Sequence, residues 1–321
     1  MIVIRSMGQE DLEKVCEIDV AAFGAWHKRF KGQSVELHPR RRANLLALLD
    51  KDPAGCFVAE AGGCPVGFIF SRTWNSEGWF GTFGVLPEYQ GNAIGKRLIA
   101  ASLGYLRGAL SPQRVIGLET MAESAYNLGL YMHLGFKVRS LTFLMEKSIA
   151  EPLQTDLSSS LWSLADPETQ KHWIADLQEV TDHLRPGLDY SKEILSTADH
   201  GLGETLVLTD GRKAIGMSTV WEVSQREGMG EDQASVQVMV LHPAYTTEET
   251  FSMLLDKTAV YARSHNKRKL AVPVNSSYRW VLQRLLDLNF RVELARVRMV
   301  LEGEDAGPST DRLVNCARWL G

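Results

Sequence analysis

The sequence predicts a mixed α/β protein built from two tandem units that share one order of elements. Three observations carry this expectation. The chain has 321 residues, enough for about two domains of roughly 100–200 residues each. Short β-rich runs alternate with stretches of helical apolar spacing along its whole length. Pieces of the first half recur further on: Val85-Leu-Pro-Glu-Tyr89 lines up with Val240-Leu-His-Pro-Ala-Tyr245, and Leu134-Gly-Phe136 with Leu288-Asn-Phe290. A spacing of about 155 residues is far too long for a solenoid repeat and points to duplication of a whole domain.

In the first unit, Ile2–Arg5 reads as a short strand, and Gln9–Phe23 as a helix with Leu12, Val15, Cys16, Ile18 and Phe23 mostly at helical spacing. Pro39 sits where a second helix would open, with Leu45, Leu46, Leu48 and Leu49 inside it. Cys56–Ala61 and Pro65–Trp74 are β-rich runs joined by Gly62-Gly63, a hairpin signal, and Glu77–Leu86 is a third such run. Gly91–Leu110 is a helix with Ile94, Leu98, Ile99, Leu103 and Leu106 on one face. A strand over Arg114–Thr120, a helix over Ser124–Leu134 stopped by Gly135, and a strand over Lys137–Lys147 complete the unit.

The second unit repeats the order. After Leu161–Leu164 comes a helix carrying Trp173, Ile174, Leu177 and Val180. Glu204–Thr209, the turn Asp210-Gly211 and Lys213–Val220 form a hairpin. Then follow a strand (Ala234–Leu241), a helix (Glu248–His265), a strand (Leu270–Val274), a helix (Ser277–Leu288) and a closing strand (Arg291–Leu301). The polar stretch between the units carries Pro152 and three serines, which is linker composition. The expected organisation is 1–147, a linker at 148–160, a second unit at 161–303 and a tail at 304–321, in which Leu313, Val314 and Trp319 are set to dock on one of the units.

Composition excludes several classes. The chain is 45% hydrophobic and 23% charged, which suits a buried core and argues against disorder. No apolar run approaches the roughly 18–20 residues of a membrane helix, and the start lacks a secretory h-region. Cys16, Cys56, Cys64 and Cys316 show neither disulfide-scaffold density nor zinc-ligand spacing, so reduced thiols in a cytoplasmic, metal-free protein are expected. A net charge of -4 argues against nucleic-acid binding. The charge is uneven. Residues 1–150 hold 17 Lys and Arg against 14 Asp and Glu, a net of +3, whereas 151–321 hold 18 against 25, a net of -7.

The informative motif is Val85-Leu-Pro-Glu-Tyr-Gln-Gly-Asn-Ala-Ile-Gly-Lys-Arg97, a strand, a Pro break, and a Gly-rich turn opening a helix. Unpaired backbone N–H groups and the helix dipole at such a turn form an anion site suited to a pyrophosphate. Gly91 and Gly95 allow close backbone approach, and Lys96 and Arg97 put positive charge in the first turn, which suits a docked anion rather than the helix.

This pattern resembles the acetyl-CoA signature of the GNAT N-acetyltransferase superfamily, Gln/Arg-x-x-Gly-x-Gly/Ala. Gln90 and Gly95 match, and Ala93 stands where the family usually has Gly. Leu130-Tyr-Met-His-Leu-Gly-Phe136 resembles the family's second signature, with Ser124 near the place of a common Asn. The resemblance covers 1–147 in motif and 161–301 in layout only. It implies two tandem GNAT-like domains, each a mixed, mostly antiparallel sheet flanked by helices and splayed open in the middle.

The resemblance also implies roles. Phe83, Gly84 and Val85 would give backbone contacts to the pantetheine arm, and Gln90, Gly91, Asn92, Ala93, Ile94, Gly95 and Lys96 would cradle the pyrophosphate of acetyl-CoA, the co-substrate. Tyr131 would protonate the departing thiolate. Glu77 and Glu119 are the candidate general bases, with Glu123 and His27 behind them. In the second unit Thr246-Thr-Glu-Glu-Thr-Phe251 replaces the Gly-rich turn, and Glu248 and Glu249 would repel phosphate while suiting an ordinary helix start. The Tyr131 position falls near Arg284–Leu285, so this unit reads as a degenerate shell.

Two functions fit these features: an acyl-CoA N-acyltransferase with its chemistry in the first unit, acting on a small-molecule or peptide amine, or a non-catalytic acyl-CoA-binding scaffold that keeps the fold. No nucleic-acid or membrane partner is expected, and a homodimer is compatible with the sequence. Two further features have a functional and a plain reading: the basic run Arg40-Arg-Arg42 could meet an acidic substrate or a CoA phosphate but reads more as a solvated face, and Trp26, His27 and Phe30, where the resemblance implies an acceptor-side wall, could form an aromatic acceptor pocket with Trp74, Trp79 and Phe80, although aromatic residues on strands are usually core.

Overall fold

The computed structural model describes residues 1–32, 36–112, 114–150, 156–158, 160–211, 213–305 and 311–319, with the backbone alone for 30 and 31. Much of the expected linker (148–160) and part of the expected tail (304–321) therefore lie outside the described residues. The first half runs β1 (Ile2–Ser6), α1 (Leu12–Lys31), α2 (Arg42–Lys51), β2 (Phe57–Ala61), β3 (Cys64–Trp74), β4 (Glu77–Val85), α3 (Ile94–Ala109), β5 (Val115–Met121), α4 (Ala125–His133) and β6 (Lys137–Ser148). The second half runs α5 (Pro167–Leu184), α6 (Ser191–Asp199), β7 (Gly203–Asp210), β8 (Lys213–Trp221), β9 (Gln233–Leu241), α7 (Glu248–Ser264), β10 (Lys269–Asn275), α8 (Arg279–Asp287), β11 (Arg291–Glu302) and β12 (Val314–Ala317). In place of a strand matching β1, Leu161 makes a single bridge to Leu206.

Local chemistry accounts for most boundaries. Gly62 and Gly63 at φ 58° and 85° close the β2–β3 hairpin with the twist that two-residue turns require. Asp166 caps α5 by accepting from the N–H groups of Glu168 and Thr169, and Pro167 occupies the first turn. Two elements depart from the sequence expectation. The second helix begins at Arg42 rather than at Pro39, because residues 39–41 are held extended by the second half: the Glu227 N–H donates to the Pro39 carbonyl and the Arg41 N–H to that of Gln225. α6 was not anticipated at all. It buries Ile194 together with the charged Glu193, a mixture that hides its inward face from a periodicity reading.

The strands form one sheet in the order β1-β2-β3-β4-β5-β11-β6-β10-β9-β8-β7, with β12 paired to β9. Only β4–β5 and β9–β10 are parallel pairs. The final strand of each half crosses into the other. β11 lies between β5 and β6, and β6 pairs with β10. The register carries an internal two-fold relation. Met121 faces Arg296 across β5–β11, and its equivalent Asn275 faces Thr142 across β10–β6. The members of each equivalent pair, Met121 with Asn275 and Thr142 with Arg296, stand 154 residues apart, and Thr142 itself faces Arg296 at the centre of β6–β11. The exchange ties the halves through backbone ladders, so a single cooperative unfolding transition is expected.

A core of Trp74, Trp79, Trp162, Trp173, Tyr190 and Trp319 fills the junction of the halves. Trp319, brought there by β12, is 1% exposed and lies over Gly117 so closely that a Cβ at 117 would meet its ring at 2.3 Å. Arg298 stacks on the same ring, 4.0 Å from its centroid. Trp319→Ala is expected to cost about 3–5 kcal/mol, as for other buried aromatic truncations, read as a lower midpoint in chemical unfolding with one unchanged transition.

Candidate active site

The β4–β5 ladder runs only from Glu77–Val115 to Trp79–Gly117. Beyond Trp79 the two strands part, and among the described residues no strand lies beside the β5-facing edge of residues 80–85. On its other side β4 remains paired to β3, with a bulge that skips Gly81 and Thr82 between the pairs Ser71–Phe80 and Ile69–Phe83. An open strand edge facing a gap suits an extended ligand arm that pairs along it. Phe83, Gly84 and Val85 lie on this edge.

The Gly-rich turn follows directly. The Gln90 side chain donates to the Val85 carbonyl at 3.0 Å, and the Asn92 side chain to that of Tyr89 at 3.2 Å, so both brace the loop. Gly91 has φ 84°. Ala93 precedes α3 at φ 57°, in the left-handed region, which explains the usual glycine at its position. No side chain caps α3, and Gln90 to Ala93 are all exposed. The N–H groups of the first turn are therefore directed at solvent, ready for an anion. At the equivalent α7 the Thr247 hydroxyl accepts from the Thr250 N–H, and Glu248 and Glu249 occupy the first turn. The side-chain cap and two carboxylates take the place a phosphate would fill.

Tyr131 lies on the α3 side of the gap, 5% exposed, packed against Phe80 and Phe136 at centroid distances of 6.1 and 5.9 Å. Its hydroxyl has no hydrogen-bond partner among the described residues, and burial pushes its phenol well above the usual range. Ser124 caps α4 and also accepts from the Trp26 indole at 3.2 Å, which ties the end of α1 over that helix. Trp74 and Trp79 belong to the junction core rather than to a pocket wall.

The two candidate bases occupy different places. Glu77 sits at the closed end of the gap, 4% exposed, ion-paired with Arg185 at 2.8 Å, and burial raises its pKa against the opposing pull of that guanidinium. Glu119 stands two residues beyond the last β4–β5 pair, where the strands have parted. It accepts from the Thr142 hydroxyl and from Arg298 Nε at 3.0 Å through Oε1, while Oε2 has no partner among the described residues.

The sequence reading missed how the second half reaches this site. Asp19 on α1 is shared by Arg40 at 2.9 Å and by Arg226, from the loop after β8, at 2.6 Å. Arg40 also donates to the Thr82 hydroxyl in the β4 bulge at 3.1 Å. Arg41 contacts Ser224 and Glu231, and Arg226 donates to the His38 carbonyl. Arg40 and Arg41 thus belong to an interface rather than to a solvated face, whereas Arg42 is exposed. The loop after β8 clamps the α1–α2 segment beside the gap.

Comparison with known proteins gives a consistent picture. Residues 13–136 match the model of the acetyltransferase (GNAT) family. An 87-residue stretch is 32% identical to mycothiol acetyltransferase of Streptomyces coelicolor, a match that spans 26% of this chain and 28% of that protein. The whole chain is similar in fold to a structure from Pyrococcus horikoshii (17% identity, 99% of this chain and 95% of that one, TM-score 0.68). It is also similar to a GCN5-related N-acetyltransferase from Sphaerobacter thermophilus (12%, 95% and 97%, 0.60) and to a tandem GNAT protein from the clavulanic acid biosynthesis pathway (14%, 96% and 100%, 0.57). No helix among the described residues is long and apolar enough to cross a membrane.

Proposed function

We propose that this protein transfers the acetyl group of acetyl-CoA to a primary amine, with the chemistry in its first half, where residues 13–136 match the model of the acetyltransferase (GNAT) family. The observation that carries this reading is the pairing of an open β4 edge with an uncapped α3, set against the capped, acidic α7 of the second half. The pantetheine arm would lie along residues 80–85 and the pyrophosphate against the turn from Gln90 to Lys96.

The amine nitrogen attacks the thioester carbonyl, and the C–S bond breaks as the tetrahedral intermediate collapses. The Tyr131 hydroxyl gives its proton to the departing thiolate, and its burial keeps that proton in place at neutral pH. The ammonium proton goes to Glu119, whose free Oε2 supports this choice over Glu77, which is engaged with Arg185. Glu77 then serves to hold Arg185 and the second half at the closed end of the gap. The second half supplies the acceptor side through Arg226 and its neighbours.

The direct test is release of free thiol from acetyl-CoA in the presence of a panel of amines. Amine-dependent release is expected. Tight acetyl-CoA binding with no turnover on any amine class would favour the scaffold reading.

A further inference from the structure

Arginines gather where β4 and β5 part: Arg318 is within reach of Arg40, Arg72 and Arg296, and the carboxylates around them are shared among several guanidiniums. Arg72, two residues past Phe70 on β3, shares the face that Phe70 packs against α1 and α2. It is 4% exposed and lies 4.7 Å over the ring of Trp79, its β4 partner and the last residue before the strands part. Both Arg72 Nε and Trp79 Nε1 are buried donors with no acceptor among the described residues. The carboxylates that attract Arg72, Glu193 and Asp52, are already ion-paired with Lys51 and Lys192.

The side chain of Arg318, just past β12, has one hydrogen-bond partner among the described residues, the Ser235 hydroxyl at 3.0 Å. It lines a small cavity with Glu119, Thr142 and Arg296, where Glu119 attracts it while Arg296, Arg72 and Arg40 repel it. The carboxylates among these groups are shared: Glu123 and Glu119 both draw Arg296, and Asp305 lies 3.6 Å from Arg298. Asp19 is divided between Arg40 and Arg226, and Glu119 is engaged by Arg298. Buried donors without acceptors and guanidiniums without counter-ions are destabilising unless something meets them.

We propose that this cluster recognises an anionic group, a carboxylate or a phosphate, carried by the acceptor amine, with Arg72 and Arg318 as the specificity-determining residues. The inference rests on the acetyltransfer reading above. The acceptor's amine would lie toward Thr82 and Glu119, and its anionic group would take bidentate contacts from the guanidiniums, the geometry in which arginine outperforms lysine. The positive site sits in a chain of net charge -4, so it is local rather than a property of the whole surface.

The test compares amines that differ only in the anionic group: alanine against alanine amide for the carboxylate, and glucosamine 6-phosphate against glucosamine for the phosphate. Calorimetry with acetyl-CoA runs alongside. In at least one pair the anionic member is expected to have a kcat/KM at least about tenfold higher, and Arg318→Met and Arg72→Met should each raise its KM about 100-fold, the size of one lost buried charged contact. The acetyl-CoA dissociation constant should stay within about twofold of the parent value, and Arg318→Lys should recover part of the loss. Arg318→Met keeps the test decisive if Arg72→Met does not fold. Equal or better turnover of both neutral members, methionine variants that keep the preference, or acetyl-CoA binding with no turnover of any of the four amines would overturn the proposal. Failure to bind acetyl-CoA would instead overturn the acetyltransfer reading on which it rests.

Discussion

Gly95→Glu is expected to weaken acetyl-CoA binding by about 100- to 1000-fold, because a carboxylate about 4 Å from a phosphate at an effective dielectric near 20 is repelled by about 4 kcal/mol before screening. The fold should tolerate the change. Gly95 has ordinary helical geometry, and a Cβ there first meets Phe83 at 3.5 Å, an ordinary contact. A glutamate in the first turn of α3 also complements the helix dipole. Gly91 is a poorer probe, since its φ of 84° would strain any side chain. The matched control is Thr247→Glu at the start of α7. It removes a side-chain cap and should cost about 1 kcal/mol of stability while leaving acetyl-CoA affinity unchanged. Calorimetric titration of the two variants reads the asymmetry between the halves directly.

Tyr131→Phe is expected to lower kcat about 100-fold with KM changed little, since a general acid acts in the transition state and not in ground-state binding. Stability should fall by less than about 1 kcal/mol, because the phenol has no partner to lose and the ring packing on Phe80 and Phe136 remains. The pH dependence has a definite sign. Burial raises the folded pKa of this tyrosine above its ordinary value. The favourable difference between folded and unfolded states is therefore fully present below the ordinary tyrosine pKa and is lost as pH rises through the folded value. The parent chain should lose part of its stability above about pH 10 through this group, and Tyr131→Phe should flatten that alkaline decline. Stopped-flow kinetics and unfolding curves across alkaline pH would separate the two effects. A kcat within a few-fold of the parent would remove Tyr131 from the acid role.

What could be read in the sequence was mainly what is local. The turn from Gln90 to Lys96 announces itself because its glycines, its Pro break and its first-turn cations are contiguous, and Ala93 takes the left-handed geometry that a glycine-preferring position implies. The degenerate counterpart was legible for the same reason, since Thr247, Glu248 and Glu249 are adjacent to one another and form an ordinary capped start. What escaped depends on contacts between residues far apart in the chain. β6 and β11 look like closing strands of their own units, and nothing in their letters marks their exchange across the sheet. The basic run at 40–42 looked like a solvated face, because the loop carrying Ser224, Arg226 and Glu231 comes more than 180 residues later. Arg72 did leave a signal, as the one charged residue in the apolar run from Val66 to Trp74, and a buried charge in such a run is rarely incidental.

The claim that one half binds acetyl-CoA and the other does not is tested most directly by amide hydrogen exchange on the full chain with and without acetyl-CoA. Slowed exchange is predicted over residues 80–85 and 90–97, where the open β4 edge and the uncapped start of α3 would be covered, with no change over 235–250. Protection at 235–250 equal to that at 80–97, or none at 80–97 under saturating acetyl-CoA, would contradict it.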